Sequence, residues 1–253
     1  IVAYAVFGSE DDIVIERRDA SGRVVFTDTL DDVFIGFGEF DIAVSPNGDY
    51  AIQFVQHNDD DIPIGANYDL DAYGFVYDFA TNTRSTRFEA AANYDSGDYT
   101  LGIAALAGGG FVVLANGSDT DFKTLVAKIV DNDGQTVRAT FEVGAIESSS
   151  FSAALSGQDA DVAALKNGNF VVTYERGGDI FFRVMNPEAG ASPELAAATS
   201  GITESRPVVT QLADGGFFIA WFGADGLEVR GQRFDASGDK VGDTMLIFSG
   251  LGA

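Results

Sequence analysis

The chain contains no cysteine and only one histidine, His57, among its 253 residues. Without thiols there is neither a disulfide frame nor a thiolate metal site. One imidazole also rules out a multi-histidine zinc site within one chain. Positive charge is scarce: Lys and Arg total 15 against 39 Asp and Glu, giving a formal net charge of −24 and a pI near 4.1. Nucleic acid and anionic lipid both need Lys and Arg to displace counterions, so neither is an expected partner, and cations suit this surface better. No run approaches the roughly 18 apolar residues of a membrane span. The opening segment, residues 1–8, has no basic flank and runs into Glu10-Asp11-Asp12. It therefore reads as a mature or trimmed end and not as a signal peptide of the usual kind. No long helix is expected either, because the Ala-rich stretch 189–198 holds Gly190 and Pro193 and reads as a loop or one short turn. The Gly-x-Ser-x-Gly, His-Glu-x-x-His and Gly-x-x-x-x-Gly-Lys motifs are all missing.

What the chain does have is a repeat. Residues 42–52, 103–113, 162–172 and 209–219 align without a gap. Each is a short apolar run, a turn with Gly at one fixed place (Gly48, Gly109, Gly168, Gly215), then an aromatic (Tyr50, Phe111, Phe170, Phe217) that opens a second apolar run. A second element recurs as a strand-like segment ending in a polar turn, at Asp19 to Gly22, Asp131 to Gly134 and Asp235 to Gly238. Weaker copies lie at residues 182–190 and 75–79. One unit thus reads strand, Gly turn, strand, loop, strand, Asp-Gly turn, strand. The alternation, with β-branched and aromatic residues dominant, predicts strands, and the Gly turns tolerate the positive φ of hairpins.

Four antiparallel strands per unit predict an all-β, β-propeller-like fold of about five four-stranded blades. A β-sandwich or an elongated β-array is the alternative. The whole chain reads as one repeat domain, with units at approximately 1–38, 39–98, 99–158, 159–204 and 205–253. The first unit lacks its first strand. A five-bladed ring closed by the two chain ends is the first expectation, and a piece of a larger propeller the second.

Residues 208–221, followed by Arg230-Gly231-Gln232-Arg233-Phe234-Asp235-Ala236-Ser237-Gly238-Asp239-Lys240-Val241-Gly242, resemble repeats of very large secreted bacterial proteins of the RTX, hemolysin-type kind. Residues 161–174 are similar to the same repeat. The resemblance spans roughly the last 90 residues and fades toward the N-terminus. It implies a bacterial extracellular or cell-surface setting and an adhesin-like host protein. The calcium-binding nonapeptide of RTX β-helices is absent, so it does not imply calcium binding in the RTX manner.

The Tyr50 unit carries an insertion: its second turn comes near Asn82, 32 residues after the anchor, against 23, 20 and 21 in the Phe111, Phe170 and Phe217 units. Insertions in repeat folds map to loops on one face, often the binding face. This one holds Asp59, Asp60, Asp61, Asp69 and Asp71 beside His57. Five carboxylates in thirteen residues make a candidate Ca2+ site, since calcium takes six to eight oxygens in flexible geometry. A solvated acidic loop is the competing reading. Asp131-Asn132-Asp133-Gly134 resembles the front of an EF-hand loop but lacks the later Glu and reads as a hairpin turn. Asn116-Gly117-Ser118-Asp119-Thr120-Asp121 is a second possible carboxylate pair that reads as a turn. Tyr4, Phe54, Tyr174 and Trp221 share one repeat position, with Ala115 in the Phe111 unit, and read as interblade core before sugar-stacking platforms.

Three functions follow as expectations. The first is a non-enzymatic surface module that presents loops to glycan or protein at the cell exterior, with calcium assistance. The second is a structural subunit of a surface layer or filament, with self-association at blade edges. The third is a carbohydrate-active enzyme using an Asp/Glu pair as acid and base. A buried carboxylate pair in a deep central funnel would favour the enzyme.

Overall fold

A computed structural model describes residues 1–7, 12–31, 33, 40–57, 70–91, 99–116, 124–146, 159–223 and 226–250. The structure is built of five antiparallel sheets. The first holds β1 (Val2–Val6), β2 (Asp12–Arg18) and β3 (Val24–Leu30). The second holds β4 (Asp41–Val44), β5 (Tyr50–His57), β6 (Leu70–Asp78) and an outer position shared by β7 (Thr83–Arg84) and β8 (Phe88–Glu89). The third holds β9 (Tyr99–Ala105), β10 (Phe111–Asn116), β11 (Thr124–Val130) and β12 (Thr136–Ala145). In the fourth, β13 (Ala160–Ala164), β14 (Phe170–Arg176) and β15 (Asp179–Asn186) are followed by β16 (Gly190–Ala191) and β17 (Leu195–Ala198), which share the outer position. The fifth is β18 (Ser205–Gln211), β19 (Phe217–Gly223), β20 (Glu228–Phe234) and β21 (Met245–Ser249). The order is a meander throughout, and no helix occurs among the described residues.

The repeated glycine sets the first hairpin of every complete unit. Gly48, Gly109, Gly168 and Gly215 all lie at φ between +89° and +96°, where a Cβ is strained. Each donates its N–H to the carbonyl three residues back, as Gly168 does to Leu165 at 3.1 Å, while Leu165 N bonds Asn169 O at 2.7 Å. This is the three-residue hairpin with a left-handed closing residue. The Asp-Gly turns repeat that geometry. Asp131 Oδ1 accepts from Asp133 N and Gln135 N, and Asp19 and Asp235 do the same in their turns. The EF-hand-like segment is therefore a hairpin turn whose leading carboxylate is already engaged by backbone.

The anchors Tyr50, Phe111, Phe170 and Phe217 are all fully buried, and four apolar clusters fill the junctions between successive sheets. Phe54, Tyr174 and Trp221 are buried as well, whereas Tyr4 at the same repeat position is 41% exposed. Among the described residues no strand pairs with β1 on the Tyr4 side: β1 is the edge of a three-stranded sheet, and β21 pairs with β20. Among the described residues the two ends therefore do not share a sheet. The first strands of the four complete units pack side by side, β4 with β9, β9 with β13 and β13 with β18, and form the axis of a propeller-like arrangement.

Candidate functional site

The inner strands meet around a cavity of about 570 Å³. Its apolar wall includes Phe40, Leu101, Pro207 and Phe222, and its polar wall includes Asp41, Asp161 and Arg206. The repeat explains the carboxylates. The residue just before each inner apolar run is Asp41, Gly102, Asp161 and Val208 in turn. Each Asp bonds the N–H of its own neighbour and the equivalent N–H of the next sheet. Asp41 Oδ1 accepts from Ile42 N at 2.8 Å and Oδ2 from Ile103 N at 3.1 Å. Asp161 Oδ1 accepts from Val162 N at 2.8 Å and Oδ2 from Val209 N at 2.7 Å. Gly102 stands between them, and a Cβ there would lie 3.6 Å from Asp161 Oδ1.

Both groups hold their protons more tightly than an ordinary aspartate. Burial in the protein wall pushes Asp161 up to about 6, against the lowering effect of its two backbone N–H donors, and the Asp41 charge adds to the rise. Asp41 is raised by the same desolvation, although its surface opens more to the cavity than that of half-buried Asp161. Asp159 beside the site is also raised by burial, with the Arg206 charge working in the opposite direction. Two carboxyls on one cavity wall, both raised by burial, are candidates for acid–base work.

Of the residues expected to hold a metal, Asp59, Asp60, Asp61 and Asp69 lie outside the described residues. Asp71 is buried on β6, opposite Gln56, and accepts the Tyr73 hydroxyl at 2.9 Å. The structure does not bring Asp71 to the axial cavity. Asp41, Asp161, Asp159 and Arg206 were not legible as a site. The available signal was one alignment column that carries Asp at the rim of two apolar runs.

No family model matches the sequence, and no curated protein does. Solved structures do share the fold. A mutant of the Synechocystis apocarotenoid oxygenase superposes with a TM-score of 0.53 at 11% identity, covering 98% of this chain and 58% of that one. A quinoprotein alcohol dehydrogenase-like protein from Bacteroides thetaiotaomicron gives 0.51 at 10% identity, covering 97% and 53%. A cobalt-substituted form of the Synechocystis enzyme gives 0.51 at 11%, covering 98% and 58%. This chain thus spans a little over half the length of these structures, and at such identity the likeness shows the propeller-like fold.

Two expectations are corrected here. The non-enzymatic, loop-presenting adhesin module does not stand. Structures that share this fold over nearly the whole chain include an oxygenase and a dehydrogenase-like protein, and the axis holds a cavity with two carboxylates on its wall, exposed Asp41 and half-buried Asp161. The calcium expectation fails as well. The metal in the neighbours is cobalt in a substituted oxygenase, and no group of three or more His, Cys, Asp or Glu converges among the described residues. All four oxygens of Asp41 and Asp161 accept backbone N–H groups.

Proposed function

We propose that the protein is a carbohydrate-active hydrolase whose acid–base pair is Asp161 and Asp41. The observation that carries this reading is the pair itself: two repeat-equivalent carboxylates facing one cavity, one of them lifted to about 6. Asp161, the more enclosed, holds a proton in mildly acidic water and gives it to the glycosidic oxygen. In its carboxylate form Asp41 supports the positive charge that develops on the sugar ring and activates water or attacks the sugar itself. Phe40 and Phe222 supply apolar surface against which the C–H face of a sugar packs. The backbone N–H groups of Ile103 and Val209 fix both carboxylates, so little reorganisation is needed. The acidic, cysteine-free composition and the resemblance of residues 208–242 to secreted bacterial repeats support a setting outside the cell.

The test is hydrolysis of a panel of neutral and acidic oligosaccharides by the parent chain, Asp161→Asn and Asp41→Asn, with thermal melts alongside. The expected result is a loss of at least about 100-fold in kcat for each variant that still melts cooperatively. Equal rates in all three proteins, or no hydrolysis by the parent, overturns the assignment.

A further inference from the structure

Arg206 is the only Lys or Arg among the described residues with neither a hydrogen bond nor an ion pair. Every other described cation is tied to a carboxylate, a carbonyl or a side-chain amide, as Lys128 is to Glu89 O, Lys166 to Ala213 O and Arg176 to Glu194. In a chain with 39 acidic residues against 15 basic ones, a guanidinium without a partner is unexpected. Arg206 is exposed, lines the axial cavity, and feels the Asp159 charge only through space.

Its backbone is also costly. The φ of Arg206 is +53°, in the left-handed region, and the next residue is Pro207. That region is unfavourable for a residue with a Cβ, and a following proline disfavours helical conformations further. The register between β18 and β19 breaks between Ser205 and Val208, within the same stretch. Val209, which delivers its N–H to Asp161, comes directly after. One irregular stretch therefore sets both the donor that holds Asp161 and the cation on the cavity wall. Strain of this kind persists where surrounding structure enforces it, and it clusters at ligand sites.

We infer that Arg206 takes the carboxylate of an acidic sugar, so that the substrate class of the cavity is uronic-acid-containing saccharide. This rests on the hydrolase reading above. The planar guanidinium meets a carboxylate with two parallel N–H···O bonds, a match that a neutral hydroxymethyl group does not offer. The net charge of −24 repels anions at long range, so recognition comes from the short-range fork and not from a general field. The bound anion also raises the proton affinity of neighbouring carboxyls, which keeps Asp161 in its acid form while substrate is present.

The experiment compares uronic-acid oligosaccharides with their methyl esters, which keep the shape and lose the charge, and with neutral and sulfated oligosaccharides of equal length. Each is tested for hydrolysis and, by calorimetry, for binding. The proteins are the parent, Arg206→Asn, which suits a left-handed residue and so keeps the fold, and Arg206→Lys, which keeps the charge but not the fork. The parent is expected to favour free acid over ester by about tenfold or more. That preference falls to near unity in Arg206→Asn, mainly through KM, and is partly kept in Arg206→Lys. Hydrolysis of neutral and esterified sugars as well as free acid overturns the inference and leaves the hydrolase reading intact. Equal preference for sulfated sugars overturns the carboxylate assignment. Arg206-dependent binding of the free acid with no hydrolysis of any sugar sinks the acid–base pair and keeps the recognition site.

Discussion

Asp161 Oδ2 accepts the N–H of Val209 at 2.7 Å, a bond that joins the neighbouring inner strands of two successive sheets. Asp41 makes the equivalent bond to Ile103 at 3.1 Å. The same carboxylates thus hold the sheets together and face the cavity, and structural and chemical roles are separable only by pH and by kinetics.

The pH dependence has a definite sign. Asp161 ionises near pH 4 when unfolded and near 6 in the fold, so between those values the folded chain binds more protons. Its contribution to stability is full below about pH 4 and is lost as pH rises through 6. Asp161→Asn removes that slope. Melts across pH 4 to 7 are expected to show the variant gaining on the parent as pH rises, by at most about 3 kcal/mol. A constant offset would mean that Asp161 titrates normally.

Glu194 titrates the other way. It accepts the Tyr174 hydroxyl at 2.6 Å and two Arg176 nitrogens at 2.6 and 2.8 Å, and the Arg176 bonds hold its carboxyl below the usual glutamate range. Its stabilisation is present above the unfolded pKa and lost as pH falls through the folded one. Glu194→Gln is expected to cost about 1–2 kcal/mol at pH 7 and progressively less as the pH is lowered below the ordinary glutamate range, read by urea unfolding.

Adjacent glycines in one turn separate two physical costs. Gly215 has φ +95° with open space around its Cβ position, so Gly215→Ala carries only backbone strain, about 1–2 kcal/mol. At Gly216 an added Cβ would lie 2.4 Å from the Phe234 carbonyl oxygen, so Gly216→Ala must move a strand. Denaturant midpoints are expected to fall further for Gly216→Ala than for Gly215→Ala.

Phe217 packs 5.5 Å from Phe182 and 5.2 Å from Phe234, ring centre to ring centre, in the junction between the last two sheets. Phe217→Ala is expected to cost about 3–5 kcal/mol and to lower Tm by roughly 10 °C or more. Tyr4→Ala, at an exposed edge, is expected to cost far less.

The fold class was legible because hairpin chemistry is local. A glycine at φ near +90° and an aromatic two residues later announce themselves within a dozen residues, and they recur. The site was not legible, because its chemistry comes from depth. Asp41 and Asp161 sit at the edge of short apolar runs, where an aspartate looks like an ordinary strand-leading residue, while the crowded Asp59 to Asp71 insertion drew the eye by number alone. Arg206 gave no signal at all, since its lack of a partner is a property of the packed structure.

Apolar side chains remain in solvent on both the first and the last sheet of the series. Val2, Val6, Val24 and Val25 on the first sheet, and Val208, Leu227 and Met245 to Phe248 on the last, all stand about 40–55% in solvent. Water ordered against those side chains would be released if they were covered. The protein's solubility therefore hangs on the charge of −24 that surrounds them. Acid, which neutralises that charge, and sulfate, which strengthens apolar association, push the same way.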